Sequence, residues 1–362
     1  MLDRRIRIVV ACTLLCALFV GCATQSVRSP GIHRAIWVTR FDWTTAADVE
    51  RVVADCARAG FGAVLFQVRG NGTVFFDSRH EVFSERFRFA SPGFDPLGVA
   101  VAAARRHGVE LHAWVNVVPG WQGDVPPADP RQLWNARPQW FVADVDGERE
   151  PLRKGGYASL NLGLPEVRAH IASLCREIAE RYDVDGVHLD RVRFLDDERP
   201  LQRGYPLDRR SRELCRSATG RDPVDDPAAF ARWKQDAVTA TVREVRAALR
   251  GVGRVVTLTA AVMPDAATAL TRTSQDWPRW TRDGLVDAVL PMNYTDDDAL
   301  FARRIADAVE RSRVPVVAGI GAYKHGASAQ TDRQVEAALR AGAVGTAVYS
   351  YAKLAEGRGE AR

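Results

Sequence analysis

From residue 33 onward, short apolar runs alternate with longer stretches in which apolar positions recur at helical spacing. The apolar runs predict eight strands, at 35–39, 63–68, 110–116, 186–190, 255–263, 288–294, 315–321 and 346–351. The stretches between them predict helices near 46–59, 95–107, 165–182, 226–250, 297–311 and 330–341, with a shorter helix near 275–283. Each strand is separated from the next by a helix, an order that is typical of parallel βαβ units.

Eight such units predict an α/β fold with a single closed (β/α)8 barrel of the TIM type over residues 32–355. Two long loops interrupt the repeat, 117–160 after the third strand and 192–225 after the fourth. Both follow the carboxyl ends of strands, where such barrels carry their active sites. We expect the helix after the eighth strand to be missing or very short, and residues 356–362 to form a disordered tail.

Composition and charge limit the classes of molecule that we expect the protein to bind. The 362 residues are 46% hydrophobic and 26% charged, which is typical of a globular protein with a large core. The net charge is +5, but the basic residues are scattered, so no nucleic-acid partner is expected. The chain has no C-x-x-C or H-E-x-x-H motif, and we expect neither a metal nor a cofactor.

The N-terminal pattern predicts export. Residues 1–21 have a basic start followed by an apolar stretch over 8–20, which is short for a membrane span and typical of a signal peptide. Phe19-Val20-Gly21-Cys22 is similar to a bacterial lipobox, so we expect Cys22 to be lipidated and residues 22–31 to be a tether. The chain would then be anchored to a membrane of the cell envelope, facing the periplasm or the exterior; plain secretion is the alternative.

Polar and aromatic residues gather where the predicted strands end. Because side chains alternate along a strand, His112, Trp114 and Asn116 share one face, as do His188 and Asp190. Further candidates for binding a ligand at this rim are Gln67, Arg69, Arg193, Asn293, Tyr294 and Tyr323. The flat indoles of the long third loop, Trp121, Trp134 and Trp140, are candidates for stacking on sugar rings, whereas Trp37 is expected in the core.

Asp190 is the strongest catalytic candidate. It takes the last inward position of the fourth strand, where it can face a ligand as the nucleophile or base of a glycosidase. The alternative is a structural ion pair with Arg191 or Arg193. A glycosidase also needs a carboxylic acid, and Asp265 and Asp296 are the candidates, although each also suits a helix N-cap.

Seven blocks of sequence resemble the glycosyl hydrolase-like 10 family of bacterial envelope proteins. In order, they are RAIWVTRFDW, VLFQVRGNGTVFFDSRHEVFS, FDPLGVAVAAARRHGVELHAWVN, SLNLGLPEVRAHI, YDVDGVHLDRVRF, DAVLPMNYTDD and GIGAYK. The likeness runs from about Ile32 to Tyr351. It implies a TIM-type barrel related to glycosidase clans and a cell-envelope glycan as substrate. Some members of the family are associated with hydrolysis of peptidoglycan strands that lack stem peptides.

The resemblance also implies roles for single residues. The nucleophile of related barrel glycosidases maps onto Asp190, and polar motif positions of the family match Gln67, Arg69, His112, Asn116, Asn161 and His188. Where many members have an acidic residue and then tyrosine after the aspartate, this chain has Arg191-Val192-Arg193.

Together these features predict a glycoside hydrolase that acts on a polysaccharide or oligosaccharide of the cell envelope. One alternative is a glycan-binding lipoprotein without activity. The other is a metal-dependent hydrolase that would use His112, His188 and Asp190 as ligands.

Overall fold

The structure is a computed structural model that describes residues 32–194 and 204–359. The predicted signal peptide, the predicted tether and Cys22 lie outside the described residues. Eight parallel strands form a closed barrel: β1 (Arg34–Val38), β2 (Ala63–Arg69), β3 (Glu110–Asn116), β6 (Gly186–Asp190), β7 (Thr257–Val262), β8 (Ala288–Asn293), β9 (Val317–Gly321) and β10 (Gly345–Tyr349). The barrel closes where β1 pairs with β10, and the predicted fold class is confirmed.

The helices surround this barrel. They are α1 (Ala46–Arg58), α2 (Pro96–His107), α3 (Leu133–Ala136), α4 (Pro165–Arg181), α5 (Arg209–Thr219), α6 (Pro227–Arg250), α7 (Ala266–Thr273), α8 (Trp277–Arg282), α9 (Asp298–Arg311), α10 (Ser328–Arg340) and α11 (Tyr351–Gly359). Local sequence determines where they begin. Thr45 and Asp48 form a capping box at α1, and proline is the first residue of α2, α4 and α6. Among the described helices, none is long and apolar enough to cross a bilayer.

Both faces of the barrel strands are buried. The outward-facing side chains pack under the helices, as expected for a parallel sheet that is covered on both sides. The inward-facing side chains fill the interior, chiefly Ala35, Trp37, Ala63, Leu65, Trp114, Leu290, Val317 and Ala347. The barrel is therefore a packed core rather than a pore, and any ligand must bind above these side chains, at the carboxyl ends of the strands.

The two long loops carry secondary structure that the sequence pattern does not predict. Residues 117–160 contain an antiparallel hairpin, β4 (Pro119–Gly123) and β5 (Arg153–Ser159), and residues 192–225 contain α5. The end of the chain also differs from expectation, because α11 has nine residues and continues through 359. The Tyr351 hydroxyl donates a 2.9 Å hydrogen bond to Asp55 Oδ2, which joins α11 to α1. Residues 360–362 lie outside the described chain.

Candidate active site

Asp190 lines a cavity of about 270 Å³ at the mouth of the barrel. It is the last residue of β6, and it is 8% exposed. The cavity walls are largely aromatic: Trp37, Phe41, Trp114, Tyr157, Tyr294, Tyr323 and Tyr349. The remaining lining residues are Thr39, Arg40, Gln67, Asn116, Arg191, Arg193 and Met292. The volume lies just below the range typical of pockets for drug-sized ligands, so the cavity holds a small ligand or one unit of a larger one.

The backbone turns sharply directly after Asp190. Arg191 has φ of 52°, which is uncommon for a residue other than glycine, and its N–H donates a 2.6 Å hydrogen bond to Asp190 Oδ1. The Arg191 guanidinium lies over the ring of Tyr157, 4.7 Å from its centroid. Among the described residues, no ion pair joins Asp190 to Arg191 or Arg193. The turn therefore holds the carboxylate at the rim without neutralising it in a structural salt bridge.

Two phenols border this carboxylate. Burial, reinforced by the charge of Asp190, raises the pKa of Tyr294 and of Tyr349. Their rings lie 5.6 Å apart between centroids, and Tyr323 lies 6.0 Å from each. A tyrosine is protonated at neutral pH even with its ordinary pKa, so both hydroxyls can donate hydrogen bonds to a ligand beside Asp190.

Six of the predicted binding residues line the cavity: Gln67, Trp114, Asn116, Arg193, Tyr294 and Tyr323. Gln67 Oε1 accepts a 3.0 Å hydrogen bond from the Arg40 N–H. Asn116 Oδ1 accepts from Trp114 Nε1 at 2.9 Å, and its Nδ2 donates to the Gly70 carbonyl at 3.1 Å. The polar side chains at the rim are therefore fixed in orientation before a ligand binds.

Arg69 does not reach the cavity. The register of β2 shifts between Gln67 and Arg69, so Arg69 pairs with Val115 and takes the outward face rather than that of Gln67. There it forms a fully buried ion pair with Glu81, 2.8 Å between Nη2 and Oε1. Its Nη1 donates to the carbonyls of Val117 and Pro119 at 3.1 Å each. Arg69 therefore anchors the start of the long third loop instead of binding a sugar.

The two predicted histidines lie deeper in the barrel. His188 Nε2 accepts from Trp37 Nε1 at 3.1 Å, so Nδ1 carries the proton and donates to Thr259 Oγ1 at 2.9 Å. Burial lowers the pKa of His188 to about 3, and the ring is neutral. His112 lies lower still, opposite Gly186 in the register, with Nε2 at 3.1 Å from Glu110 Oε2.

These positions count against the alternative of a metal-dependent hydrolase that uses the two histidines and Asp190 as ligands. Both nitrogens of His188 are already hydrogen-bonded, and neither histidine lines the cavity with Asp190. In the described part of the chain, no three His, Cys, Asp or Glu side chains come together as a ligand set for a metal ion.

Two predicted asparagines also point elsewhere. Asn161 Nδ2 donates to Ser211 Oγ at 2.8 Å, which joins the turn before α4 to α5. Asn293 follows Met292, which faces the cavity, so strand alternation turns it outward. Its Nδ2 donates to the Phe301 carbonyl on α9 at 2.9 Å. Both residues stabilise the scaffold around the site rather than the ligand.

The structure does not bring the two predicted acids to Asp190. Asp265 is the N-cap of α7, where its Oδ1 accepts from the Thr268 N–H at 2.7 Å. Hydrogen bonds from the side chain and the N–H of Thr268 lower the pKa of Asp265. Asp296 is exposed in the loop before α9, whose N-cap is Asp297. Within the described residues, Asp190 is the only carboxylate among the side chains that line the cavity.

The indoles of the long third loop pack against the protein. Trp121 stacks on Phe89 at 6.2 Å, Trp134 lies under the Arg149 guanidinium at 3.6 Å, and Trp140 contacts the ring of His170 at 5.0 Å. None of the three lines the cavity.

Other aromatic and basic residues at the rim are absent from the sequence prediction, among them Arg40, Phe41 and Tyr157. Arg40 and Phe41 lie two and three residues after β1, a position that signals the rim of a barrel. Tyr157 lies in β5, whose sequence RKGGYAS has no apolar alternation that would predict a strand.

Known proteins similar to this chain share its barrel. Glycosyl hydrolase DigH from Escherichia coli K12 is 25% identical over 348 residues, covering 84% of this chain and 75% of that protein. Glycosyl hydrolase YngK from Bacillus subtilis is 24% identical over 174 residues, 43% of this chain and 32% of that protein. The glycoside hydrolase domain of PgaB (BpsB) from Bordetella bronchiseptica superimposes with a TM-score of 0.69 at 15% identity, covering 90% of this chain and 95% of that domain.

The structural likeness at 15% identity establishes a common fold alone. The sequence likeness is more specific, because a profile of one family, described as glycosyl hydrolase-like 10, matches residues 32–336. That span includes all of the barrel except the end of α10, the last strand and α11. With the matched span, the barrel and the relatives in agreement, this chain belongs to the glycosyl hydrolase-like 10 family.

Proposed function

We propose that the protein is a glycoside hydrolase of the cell envelope, and that its substrate is the glycan strand of peptidoglycan without stem peptides. The observation that supports this proposal most directly is the carboxylate of Asp190, held at the barrel mouth in a cavity with aromatic walls. Flat aromatic faces suit the C–H faces of sugar rings, and the fixed amides of Gln67 and Asn116 suit their hydroxyl groups.

In this proposal Asp190 acts on the anomeric carbon, either directly as the nucleophile or as the base that activates water. The hydrogen bond from the Arg191 N–H orients one carboxylate oxygen and leaves the other available. Tyr294 and Tyr349 remain neutral next to it and donate to the substrate without competing for the developing positive charge. Trp37 and Trp114 form part of the lining around this carboxylate.

A second candidate function is glycan binding without hydrolysis. Glycosidases of both stereochemical types use a pair of carboxyl groups, one of which protonates the leaving oxygen. Among the described residues that line the cavity, Asp190 is the only carboxylate. This observation favours the binding protein, and only a measurement of turnover separates the two candidates.

The experiment incubates purified protein with peptide-free peptidoglycan glycans and identifies the products by mass spectrometry. We expect the wild type to release shorter oligosaccharides and Asp190→Asn to lose at least about 10³-fold in turnover while it stays folded. Asp307→Asn is the matched control, because Asp307 lies on α9 in an exposed ion pair with Arg311.

The outcomes separate the alternatives. Wild-type turnover by Asp190→Asn would contradict the assigned role, and its unfolding would assign Asp190 to the scaffold. A wild type that binds the glycan and yields no product would support the second candidate.

We also propose that the mature protein is attached to a membrane through lipid on Cys22, facing the periplasm or the exterior. The support is the pattern of residues 1–22, a basic start, an apolar stretch and Phe19-Val20-Gly21-Cys22. A protein attached in this way would meet a substrate of the cell envelope, so the two proposals agree. Neither a cofactor nor a nucleic acid has a part in this function.

A further inference from the structure

The cavity around Asp190 has more positive charge than a neutral sugar requires. Three arginines line it, Arg40, Arg191 and Arg193, and Asp190 is the only carboxylate that does so within the described residues. Guanidinium groups held in a cleft with low-dielectric walls attract anions. The balance of charge therefore points to a ligand that carries a negative group.

Arg40 is locked in place and retains an unused donor. Its side chain is 2% exposed, and Nη2 donates to Gln122 Oε1 at 2.7 Å. A Cβ on Gly70 would come within 2.9 Å of Arg40 Cδ, Nε and Nη1, so glycine leaves the room that this guanidinium occupies. Nε is nevertheless buried without a hydrogen-bond partner. A buried donor without a partner is rare in a folded protein and requires an explanation, and charge held ready for a ligand is the explanation that we develop.

Arg193 has the same property on the β6 side of the cavity. Its Nη1 is buried and has no hydrogen-bond partner. The charge of Asp190 attracts this guanidinium and that of Arg191 repels it. A buried cationic donor that stays unpaired destabilises a protein, whereas an anionic ligand that pairs with it recovers that free energy.

Arg191 and Arg40 both stack on aromatic side chains of the protein. The Arg191 guanidinium lies 4.7 Å from the centroid of the Tyr157 ring, and the Arg40 guanidinium lies 4.5 Å from that of Phe41. Arg40 and Arg193 differ from Arg191 in that each has a buried guanidinium nitrogen without a hydrogen-bond partner, while the residue itself lines the cavity.

We infer that Arg40 and Arg193 bind a carboxylate carried by the glycan, so that the protein selects a sugar with an acidic substituent. The planar fork of a guanidinium matches the two oxygens of a carboxylate better than it matches a single hydroxyl. A uronic acid and a sugar with an ether-linked lactate share this chemistry. The inference rests on the proposed function, because it concerns the glycan bound beside Asp190.

The test compares three oligosaccharides of matched length: peptide-free peptidoglycan glycan, the same glycan with its carboxyl groups reduced to alcohols, and oligogalacturonate. Calorimetry measures their binding to Asp190→Asn, which consumes no substrate, and wild-type turnover is followed in parallel. We expect the carboxylated glycan to bind about 10- to 100-fold more tightly than its reduced form. Adding Arg193→Gln or Arg40→Gln should bring this ratio close to one.

Arg176→Gln is the matched control, because Arg176 forms an exposed ion pair with Glu180 on α4 and should leave the ratio unchanged. The comparison of the two glycans needs no arginine variant, so it stands even if Arg40→Gln fails to fold. Equal affinity for the two glycans, no binding of either, or a ratio that persists in both arginine variants would overturn the inference.

Different outcomes would contradict the proposed hydrolase activity and the proposed role of the arginines. Turnover of both glycans at the same rate would support the hydrolase and overturn the role of the arginines. A clear preference in binding without any turnover would support the arginines and contradict the hydrolase. Tightest binding of oligogalacturonate would support recognition of a carboxylate and replace peptidoglycan with a uronic acid polymer.

Discussion

Arg69 ends β2 and Arg193 follows the end of β6 by three residues, yet their surroundings give them opposite roles. Arg69 is sealed in an ion pair with Glu81, and His170 Nε2 donates to the same carboxylate at 2.9 Å. Burial alone would raise the pKa of Glu81, but the charges and hydrogen bonds of Arg69 and His170 outweigh it and lower that pKa to about 2. Arg193, by contrast, keeps an unsatisfied donor for a ligand.

At the residue scale, Glu81→Gln should destabilise the fold strongly. It leaves the buried charge of Arg69 without its partner, which costs about 3–5 kcal/mol in comparable buried pairs. Urea unfolding at pH 7 measures the loss. The control is Glu50→Gln, which removes an exposed partner of Arg106 and should cost less than about 1 kcal/mol. Equal losses of unfolding free energy in the two variants would mean that the buried ion pair stabilises the fold no more than the exposed pair does.

The same pair predicts a pH dependence with a definite sign. The pKa of Glu81 is about 2 in the folded protein, below its ordinary value of 4.5, so the ionised carboxylate stabilises the fold above pH 4.5. That contribution is lost as the pH falls from 4.5 towards 2. The gap in unfolding free energy between wild type and Glu81→Gln should therefore narrow between pH 5 and pH 3. A gap that stays constant would contradict the lowered pKa.

At the scale of the element, aspartate begins six of the described helices. The N-caps supplied by aspartate are Asp95 at α2, Asp208 at α5, Asp226 at α6, Asp265 at α7, Asp276 at α8 and Asp297 at α9. In a (β/α)8 chain, an aspartate soon after a strand is thus as well placed to cap the next helix as to reach the active site. Of the three predicted catalytic aspartates, Asp190 is inside its strand and avoids this ambiguity.

Asp265 offers a test of that interpretation. Asparagine caps a helix about as well as aspartate, so Asp265→Asn should keep both the wild-type unfolding temperature and turnover. Asp265→Ala removes the bond to the Thr268 N–H and should cost about 1 kcal/mol of stability, again without loss of turnover. Loss of turnover in a stable Asp265→Asn protein would instead identify this residue as the missing acid.

At the scale of the molecule, closure of the barrel creates the cavity. Its lining comes from the ends of several strands and from the β5 hairpin strand, which brings Tyr157 to the mouth from the long third loop. Asn116 and Asp190 are partners in the register of β3 and β6, whereas Trp114 pairs with His188 one layer below. Depth in the barrel does not decide alone which side chains reach the cavity, because Trp114 lines it and His188 in the same layer does not.

The proposed membrane attachment also belongs to this scale. Cys22→Ser removes the thiol that lipidation requires, so we expect the variant to appear in the soluble fraction after cell lysis, where the wild type sediments with membranes. Fractionation followed by mass spectrometry of the N-terminal peptide measures both location and modification. Membrane retention of Cys22→Ser would refute anchoring through this residue.

Local patterns in the sequence determined the elements and one part of the site. Short apolar runs placed all eight strands within two residues of their observed ends, because a strand that is buried on both faces is apolar along its length. The alternation of side chains along a strand placed Asp190 at the inward end of β6. The hairpin in residues 117–160 was missed because its glycine- and lysine-containing strand has no such apolar run.

Only the tertiary structure decided which polar residues share the cavity. A register shift in β2 turned Arg69 outward, and the alternation of side chains along β8 turned Asn293 towards α9. His188 lies one layer below Asp190 and stays in the core. Arg40 and Tyr157 reached the rim from segments that the strand pattern does not position. The physical reason is that alternation along one strand is a local property, whereas the meeting of side chains above a barrel depends on register, layer and loop contacts between strands distant in the chain.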